Sequence, residues 1–351
     1  MPNPDDNAAA PGYNPDLRYR PCSFLAGSRM RETFTLGLDL GGTKIAAGIV
    51  ASSGRMLSNV RVPTPASGVK RDLQAIFDAA HAAVATAGLN WQSVRTVGVG
   101  VPGAFDPKTA TVWAPNLPGW RKVPLKRLLD RALDRPVFVE GDRNVQALAE
   151  AWLGGGKGAR NLVFLTVGTG IGAGIIADGH LIPGTRGVAG AAGWLVTESR
   201  WRAEFGCVGC LESLAAGPAV ARVAEKALRA NSRSPINTLA AKHGGRITAE
   251  IVVAAARRGD ATARRVLEEL GTNLGRGVAS IICLLNPEVV VVGGGLAGAG
   301  ELILRPLRRA ARQWGQPLAS RQVRIVRSRL GEDAGILGAA RYAFIQLEGM
   351  D

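Results

Sequence analysis

Short apolar runs joined by glycine turns occur twice along the chain in the same order. Residues 33–40 alternate apolar and small side chains, and a second apolar run at 44–50 follows a Gly-Gly turn. Residues 161–167 and 171–176 repeat this plan around another glycine turn. Apolar runs of this length between turn residues indicate buried strands. Two strand–turn–strand units therefore predict a duplicated α/β fold.

Apolar residues at helical spacing follow each pair of strands. The predicted helices are residues 69–87, 123–133, 214–231, 248–257, 261–285, 301–314 and 334–347. Further strands are predicted at residues 56–62, 94–101, 136–140, 289–292 and 322–326. Strands that alternate with helices are typical of α/β domains with largely parallel sheets.

The distribution of prolines and of apolar periodicity predicts three segments. Residues 1–31 contain five prolines and no sustained period, which predicts a flexible tail. We expect an N-terminal α/β domain at 32–145 and a C-terminal α/β domain at 146–351, with a cleft between them. The last helix, about 334–347, is a candidate to pack back on the N-terminal domain.

Composition narrows the function classes. Of 351 residues, 46% are apolar and 20% charged, which fits a packed globular protein. The net charge of +15 suits anionic partners. However, aromatic residues make up only 5% of the chain, and no dense run of basic residues is interleaved with them. Nucleic acid is therefore not an expected partner. No apolar run approaches the roughly 18 residues that cross a bilayer, so we expect a cytoplasmic protein without membrane attachment.

The first glycine turn has the chemistry of a phosphate-binding loop. Gly41 and Gly42 let the backbone approach an anion, Thr43 adds a hydroxyl donor and Lys44 adds a positive charge. Asp39, just before the turn, is placed to orient a water-coordinated Mg²⁺, which prefers few carboxylates together with phosphate oxygens. The alternative is an ordinary hairpin turn.

Two later glycine segments extend this hypothesis. One turn occupies the equivalent place in the second repeat, and another follows the four valines of 289–292. Ligands of α/β sheets bind beyond the carboxyl ends of strands, so all three segments are candidates to hold a nucleotide. The later candidates are Gly168, Thr169, Gly170, Gly172, Gly293, Gly294 and Gly295. The alternative, turns without a ligand, is weakened because the repeats agree.

At these three motifs the chain resembles the ROK family (repressors, open reading frames and kinases), within the superfamily of actin and hexokinase. The resemblance runs from about residue 33 to residue 343. It implies a duplicated actin-like ATPase fold, related to ribonuclease H, with an interdomain cleft. It also implies ATP and Mg²⁺ as cofactors, a sugar as substrate and a homodimer.

The resemblance also implies which residues act on the sugar. Kinases of the family have a catalytic Asp within an Asn-Asp-Ala-Asn segment, and here Asp142 falls on that position in Gly-Asp-Arg-Asn. Asp142 would accept the proton of the acceptor hydroxyl; the alternative is the N-cap of a helix. The sugar-binding positions of the family are occupied here by Gly103, Asn116 and Glu212. The alternative for Asn116 is a turn asparagine, and the alternative for Glu212 is a carboxylate that caps a helix.

Several family residues are missing from the sugar side. The Glu and His of the Gly-Glu-x-Gly-His segment are replaced by Ala191 and Trp194, and Gly141 replaces the Asn before the catalytic Asp. Trp194 is a candidate to stack on a sugar face. Only Cys210 matches the cysteines of the family zinc loop, so three of four zinc ligands are gone and no zinc is expected.

The first functional hypothesis is an ATP-dependent, glucokinase-like kinase that phosphorylates a hydroxyl of a hexose or related sugar. The alternative is a non-catalytic sugar or nucleotide sensor of the ROK type without a DNA-binding domain. Asp142 and the phosphate loops favour the kinase. Polyphosphate remains an alternative phosphoryl donor to ATP because of the positive charge.

Overall fold

The computed structural model describes residues 32–229 and 234–349, so the predicted N-terminal tail lies outside the described residues. Within these residues the strands are β1 (Phe34–Leu40), β2 (Lys44–Ala51), β3 (Val60–Pro63), β4 (Val94–Val101), β5 (Ala104–Asp106), β6 (Thr111–Trp113), β7 (Val137–Gly141), β8 (Leu162–Val167), β9 (Ile171–Ala177), β10 (His180–Leu181), β11 (Val289–Gly293) and β12 (Arg324–Arg327).

The helices in the same part of the chain are α1 (Val69–Thr86), α2 (Leu125–Leu133), α3 (Asp142–Trp152), α4 (Phe205–Val208), α5 (Cys210–Ala215), α6 (Gly217–Leu228), α7 (Pro235–Lys242), α8 (Ala249–Arg257), α9 (Ala261–Leu285), α10 (Glu301–Trp314), α11 (Pro317–Gln322) and α12 (Ala334–Glu348). None of the helices described in residues 32–229 and 234–349 is long and apolar enough to cross a membrane.

The first sheet has the strand order β3-β2-β1-β4-β7. Strand β1 pairs antiparallel with β2 and parallel with β4, and β4 pairs parallel with β7. Leu36, Leu38 and Leu40 on β1 are each at most 1% exposed. Helix α12 packs so closely on this sheet that a Cβ on Gly98 would lie 1.8 Å from the Ala339 carbonyl oxygen. Glycine at position 98 therefore permits the helix to seat against β4.

The second sheet has the order β10-β9-β8-β11-β12, which reproduces the order of the first. Strands β8, β11 and β12 run parallel, whereas β9 and β10 are antiparallel. All five residues of β11 are buried, as expected for a valine-rich central strand. The repeated order confirms the duplicated α/β fold predicted from the two strand–turn–strand units.

Contacts divide the described residues into two units. The first comprises the residues up to Arg160, Gly174–Ala189 and the residues from Leu330 onward; the second comprises Asn161–Ala173 and Gly190–Arg329. Helix α12 contacts α3, β1 and β4, all in the first unit. The domain boundaries at 32–145 and 146–351 stay predictions.

One predicted helix is two helices in the structure. The spacing in 214–231 predicted a single helix, but α5 ends at Ala215 and α6 begins at Gly217. Ala216 between them is extended, with φ −82° and ψ 171°. Proline lacks a backbone N–H and its ring clashes with the carbonyl four residues earlier, so Pro218 cannot continue α5 but is tolerated in the first turn of a new helix. Similarly, β3 is shorter than predicted, and Met56 forms only an isolated bridge with Val50.

Candidate active site

Three parallel strands of the first sheet bring acidic residues to one row. Asp39 on β1 pairs with Gly100 on β4, and Gly100 pairs with Glu140 on β7. A Cβ on Gly100 would lie 3.5 Å from Asp39 Oδ1 and 3.8 Å from the Cα of Asp142. That Cβ would also lie 2.9 Å from Val145 Cγ2, so glycine at position 100 allows Asp39, Asp142 and Val145 to lie close together at the carboxyl edge of the sheet.

Asp142 is the first residue of α3, directly after β7. The N-cap position belongs to Gly141, so Asp142 is not the cap that the alternative interpretation expected. Its Oδ1 accepts a hydrogen bond of 2.7 Å from the backbone N–H of Arg143. Burial raises the pKa of Asp142, while this hydrogen bond and the Arg143 charge act in the opposite direction.

The pKa of Asp39 is raised to about 7. Burial is the main cause and the charge of Asp142 adds to it, whereas Lys44 and Arg61 lower the pKa. A carboxyl group with this pKa is about half protonated at neutral pH. A divalent cation bound near Asp39 would restore the ionised form, since a close positive charge favours the carboxylate.

Two further polar residues, which the sequence analysis did not single out, stabilise the beginning of α3. Glu140 Oε1 accepts hydrogen bonds from Asn144 Nδ2 at 3.0 Å and from the Gly141 N–H at 2.7 Å. Glu140 is 2% exposed and Asn144 is fully buried, with Asn144 Oδ1 lacking a hydrogen-bond partner. Burial raises the pKa of Glu140, and the two hydrogen bonds oppose that rise. A lone Glu ending a buried apolar run was the available sequence signal.

The first glycine turn is a well-ordered hairpin with a charged neighbour. The Gly41 N–H donates to the Lys44 carbonyl at 2.9 Å, and Thr64 Oγ1 donates to the Gly41 carbonyl at 2.7 Å. Lys44 Nζ forms an ion pair with Glu332 Oε1 at 2.9 Å. Thr43 is exposed beside it. The turn offers donors to a ligand, but Lys44 already has a carboxylate partner.

Two predicted sugar residues lie in the same unit. Gly103 has φ +92°, and a Cβ there would lie 2.2 Å from the Trp113 carbonyl oxygen, so only glycine fits. Asn116 is exposed, and its Cβ lies 3.9 Å from where a Cβ of Gly42 would be. The Asn116 side chain therefore lies next to the first glycine turn.

In the second unit, three glycine-containing segments converge by backbone contacts. The Gly217 N–H at the start of α6 donates to the Gly168 carbonyl at 2.7 Å. A Cβ on Gly168 would lie 4.0 Å from the backbone nitrogen of Gly295, which itself has open space around it. Gly294 has φ +81°, and a Cβ there would lie 2.5 Å from the Val167 carbonyl oxygen. These segments form a cradle lined by backbone rather than by side chains.

Not every predicted glycine lies in this cradle. Gly172 is buried within β9, two residues beyond the turn. Gly293 is packed on the Phe164 ring, which a Cβ would approach to 2.5 Å. Thr169 is exposed at the tip of the turn, and Gly170 accepts from the Gly168 N–H at 2.9 Å. Gly172 and Gly293 thus have packing roles, while the other positions face the turn.

Glu212 links two of the second unit's loops. Its Oε2 accepts a hydrogen bond of 2.6 Å from the Ile171 N–H. Cβ atoms on Gly170 and Gly193 would lie 2.8 Å and 2.9 Å from the same oxygen. Burial raises the pKa of Glu212, and the bond from Ile171 opposes the rise. The carboxyl is held between the glycine turn and Gly193 rather than capping its own helix.

The loop that would hold zinc in the family is held differently here. Cys210 is buried and its Sγ accepts from the Thr197 N–H at 3.4 Å, whereas Cys207 is exposed. Trp201 packs edge-on against buried Phe205 with ring centroids 5.9 Å apart. Trp194 is 55% exposed. Among the residues that the structure describes, no group of three or more His, Cys, Asp or Glu is arranged to hold a metal.

A repeated five-stranded α/β fold with acidic strand ends and a backbone cradle defines an actin-like ATPase. The profile of the ROK family matches residues 35–344, and the chain belongs to that family. Glucokinase of Streptomyces coelicolor is 37% identical over 318 residues, which are 88% of this chain and 97% of that protein.

Two further relatives bear on function. The crystal structure of a ROK family glucokinase from Streptomyces griseus, in complex with glucose and AMPPNP, is 37% identical with a TM-score of 0.74, covering 89% of this chain and 99% of that one. The xylose repressor of Caldicellulosiruptor bescii is 31% identical over 268 residues, 76% of this chain and 66% of the repressor. The family therefore contains both kinases and regulators similar to this chain.

Proposed function

We propose that this protein is an ATP-dependent sugar kinase that transfers the γ-phosphoryl group to a hydroxyl of a hexose or related sugar. The observation that carries the proposal is that Asp39 on β1 and Asp142 at the start of α3 both lie close to Gly100 at the carboxyl edge of one sheet. A base for the acceptor hydroxyl and a carboxylate for the metal are the side chains that phosphoryl transfer requires. The similarity to glucokinases along most of the chain supports the same activity.

Asp142 is the proposed general base. It lies after a buried strand, and its half-buried carboxyl uses Oδ1 for one backbone hydrogen bond. The second oxygen is free to accept the proton of a sugar hydroxyl. Burial raises the pKa of Asp142 above that of an ordinary aspartate, which makes the carboxylate a stronger base.

Asp39 is the proposed contact for Mg²⁺, through a coordinated water. The donor set fits: a lone carboxylate on β1 beside the glycine turn suits an ion that keeps most of its waters and binds phosphate oxygens. When bound, Mg²⁺ neutralises negative charge on the transferred phosphoryl group. Gly41, Gly42, Thr43 and Lys44 are the adjacent donors in this unit.

The backbone cradle of the second unit is the proposed nucleotide contact. Gly168 and Gly295 have open space where a side chain would lie, and exposed Thr169 adds a hydroxyl. Gly170 and Gly294 instead allow close packing on Glu212 and on the Val167 backbone. Backbone N–H groups in glycine turns are suited to phosphate oxygens. A nucleotide therefore fits the residues present, with the N-terminus of α6 contributing a favourable dipole through Gly217.

The proposed sugar contacts are Gly103, Asn116, Asp142, Glu212 and Trp194. Asn116 and Glu212 supply an amide and a carboxyl for sugar hydroxyls, and exposed Trp194 supplies a flat apolar face. Ala191 at the position of the family's Glu removes an acceptor, so the choice of sugar should differ from that of a glucokinase with the full set.

A panel assay tests the proposal. Purified protein with MgATP and a wide set of hexoses, pentoses and sugar derivatives should release ADP with at least one of them. ATP binding is measured in parallel by calorimetry. Tight ATP binding with no turnover on any sugar would contradict the kinase and favour the alternative, a non-catalytic ROK-type sensor. That alternative draws support from the missing sugar residues and from the similarity to a xylose repressor.

The remaining expectations stay predictions of this proposal. They are a homodimer, a cytoplasmic location, no nucleic-acid partner and no structural zinc. Polyphosphate as a donor is tested by replacing ATP in the same panel. Metal analysis of the purified protein tests the zinc prediction, and stoichiometric zinc would contradict it.

A further inference from the structure

Arg143 lies directly beside the proposed base and is incompletely bonded. It is the second residue of α3, next to Asp142, and its side chain is half-buried. Its Nη2 approaches the Gly187 carbonyl oxygen at 3.4 Å, a long hydrogen bond. Its Nε is buried and has no hydrogen-bond partner among the described residues, which is costly for a donor. Because Nε is enclosed, a ligand would be bound through the Nη atoms, of which only Nη2 makes a long hydrogen bond within the same residues.

No carboxylate among the described residues neutralises Arg143 by contact. Within residues 32–229 and 234–349, the ion pairs involve other cations, and none joins Arg143 to Asp or Glu within 4.0 Å. Its partner Gly187 belongs to the same unit, in the segment Gly174–Ala189. The guanidinium is therefore positioned by a backbone carbonyl and retains its charge unpaired.

The charge of Arg143 is felt at the proposed reaction centre. Burial raises the pKa of Asp142 and Glu140, and the Arg143 charge opposes the rise at both. The geometry agrees, because Arg143 directly follows Asp142 at the start of α3 and its backbone N–H donates to Asp142 Oδ1 at 2.7 Å. A ligand group at Arg143 would accordingly belong to the same sugar whose hydroxyl meets Asp142.

The residue type at position 143 fits an anionic ligand group. A guanidinium is positively charged and only donates hydrogen bonds. A planar guanidinium is suited to carboxylate and phosphate oxygens, which it can bind through two parallel hydrogen bonds.

We infer that Arg143 contacts the substrate and selects a sugar that carries an anionic substituent, a carboxylate or a phosphate ester, in addition to the hydroxyl that is phosphorylated. This inference rests on the proposed kinase function. It names a specificity-determining residue and the substrate class of the same site.

The test compares a neutral sugar with anionic counterparts. The substrates are glucose, glucuronate and gluconate in the ADP-release assay, and glucose 6-phosphate joins them as a probe in binding calorimetry. We expect the wild-type protein to show a kcat/KM at least tenfold higher for a carboxylate sugar than for glucose. Arg143→Ala should reduce that ratio by about tenfold to a hundredfold, mainly through KM, because one charge-assisted contact is lost.

Two further variants keep the test decisive. Arg143→Lys retains the charge but not the paired hydrogen bonds, so its ratio of kcat/KM for a carboxylate sugar over glucose should be intermediate. If the alanine variant fails to fold, the lysine variant tests the same contact. Arg186→Ala removes an exposed arginine one residue before Gly187 and should leave the ratio unchanged. Preferential binding of glucose 6-phosphate over both sugar acids would assign the phosphate ester, and the reverse would assign the carboxylate.

The outcomes separate this inference from the kinase proposal. The inference is overturned if the wild-type protein prefers glucose and Arg143→Ala lowers kcat/KM equally for all sugars. Arg143 would then act only as a counter-charge for Glu140 and Asp142. Absence of turnover with every sugar, combined with Arg143-dependent binding of a sugar acid in calorimetry, contradicts the kinase but supports the inference. Absence of both turnover and Arg143-dependent binding rejects both.

Discussion

The two units share one strand order but differ in what they offer a ligand. The first unit supplies side chains: Asp39, Glu140 and Asp142 at strand ends, with ion-paired Lys44 beside them. The second unit supplies mainly backbone, in a cradle of glycines around Gly168. The two units therefore share a strand order but differ in the groups that could bind a ligand. Side chains suit proton transfer and metal binding, whereas a glycine backbone suits phosphate.

The largest expected effect is the loss of kcat when Asp142, the proposed base of the first unit, is replaced. Asp142→Asn removes the proposed proton acceptor while keeping shape, so kcat should fall by about 10²–10⁴-fold. ATP affinity should stay within about threefold, since the cradle lies in the other unit. Asp134→Asn is the matched control, because Asp134 is fully exposed at the end of α2. Activity of the Asp142 variant within tenfold of wild type would reject the base assignment.

The second effect concerns the folding stability that is lost when the carboxyl group of Asp39 ionises in the first unit. The pKa of Asp39 is raised to about 7 in the folded protein, above the roughly 3.9 of an unfolded aspartate. The folded state therefore binds the proton more tightly, and stability from this group falls as pH rises from about 4 to 7. Asp39→Asn removes this loss, so relative to wild type it should gain roughly 3–4 kcal/mol in unfolding free energy between pH 4 and pH 8.

Urea unfolding of the ligand-free protein at both pH values measures that gain. Asp78→Asn replaces an exposed carboxyl on α1 of the same unit and is the matched control. A constant difference between Asp39→Asn and wild type at pH 4 and pH 8 would contradict the raised pKa. An opposite slope would mean that nearby Lys44 and Arg61 outweigh burial.

The third effect tests the backbone cradle of the second unit. Neither Gly295 nor Gly298 has a left-handed φ, and a Cβ on either meets nothing within 4 Å. Alanine should therefore leave the fold intact at both positions. Gly295→Ala places a methyl group at the proposed nucleotide site and should weaken ATP binding by about tenfold, roughly 1.4 kcal/mol. Gly298→Ala should not. Equal ATP affinities of the two variants, measured by calorimetry, would place the nucleotide elsewhere.

The smallest effect concerns the Lys44–Glu332 ion pair of the first unit. Both side chains are substantially exposed, so the pair contributes little to stability, at most about 1 kcal/mol. If Lys44 serves a phosphate, Glu332→Gln should free it and lower the KM for ATP by about two- to fivefold. Glu301→Gln breaks a similarly exposed pair with Arg308 at the same 2.9 Å in the second unit and is the control. A raised KM in Glu332→Gln alone would show that Glu332 itself assists binding.

Strands and turns were predicted well because their causes are local. The apolar runs before Gly41 and Gly168 formed β1 and β8, and the turns lie where glycine allows them. The break between α5 and α6 was missed although Gly217-Pro218 contained its cause. Apolar spacing continues across the break and predicts one helix, whereas Pro218 lacks the N–H that a continuous helix needs.

The candidate site was predicted in part. Asp39 and Asp142 lie at the strand ends where motif and resemblance put them. Glu140, Asn144 and the role of Arg143 were not predicted, because their significance depends on burial and on partners rather than on residue type. The contact between Lys44 and Glu332 joins residues far apart in sequence, which no local pattern shows.

The sequence alone determined the duplicated strand–turn–strand plan, the family and the residue types available at each turn, since these follow from periodicity and from motifs of adjacent residues. The tertiary structure decided which of those residues face one another. Parallel pairing of β1, β4 and β7 brought Asp39 and Asp142 close to Gly100, and packing left Arg143 Nε buried without a hydrogen-bond partner among the described residues. The reason is physical: pKa values and unsatisfied hydrogen bonds depend on solvent exclusion and distance, and only the folded chain sets these.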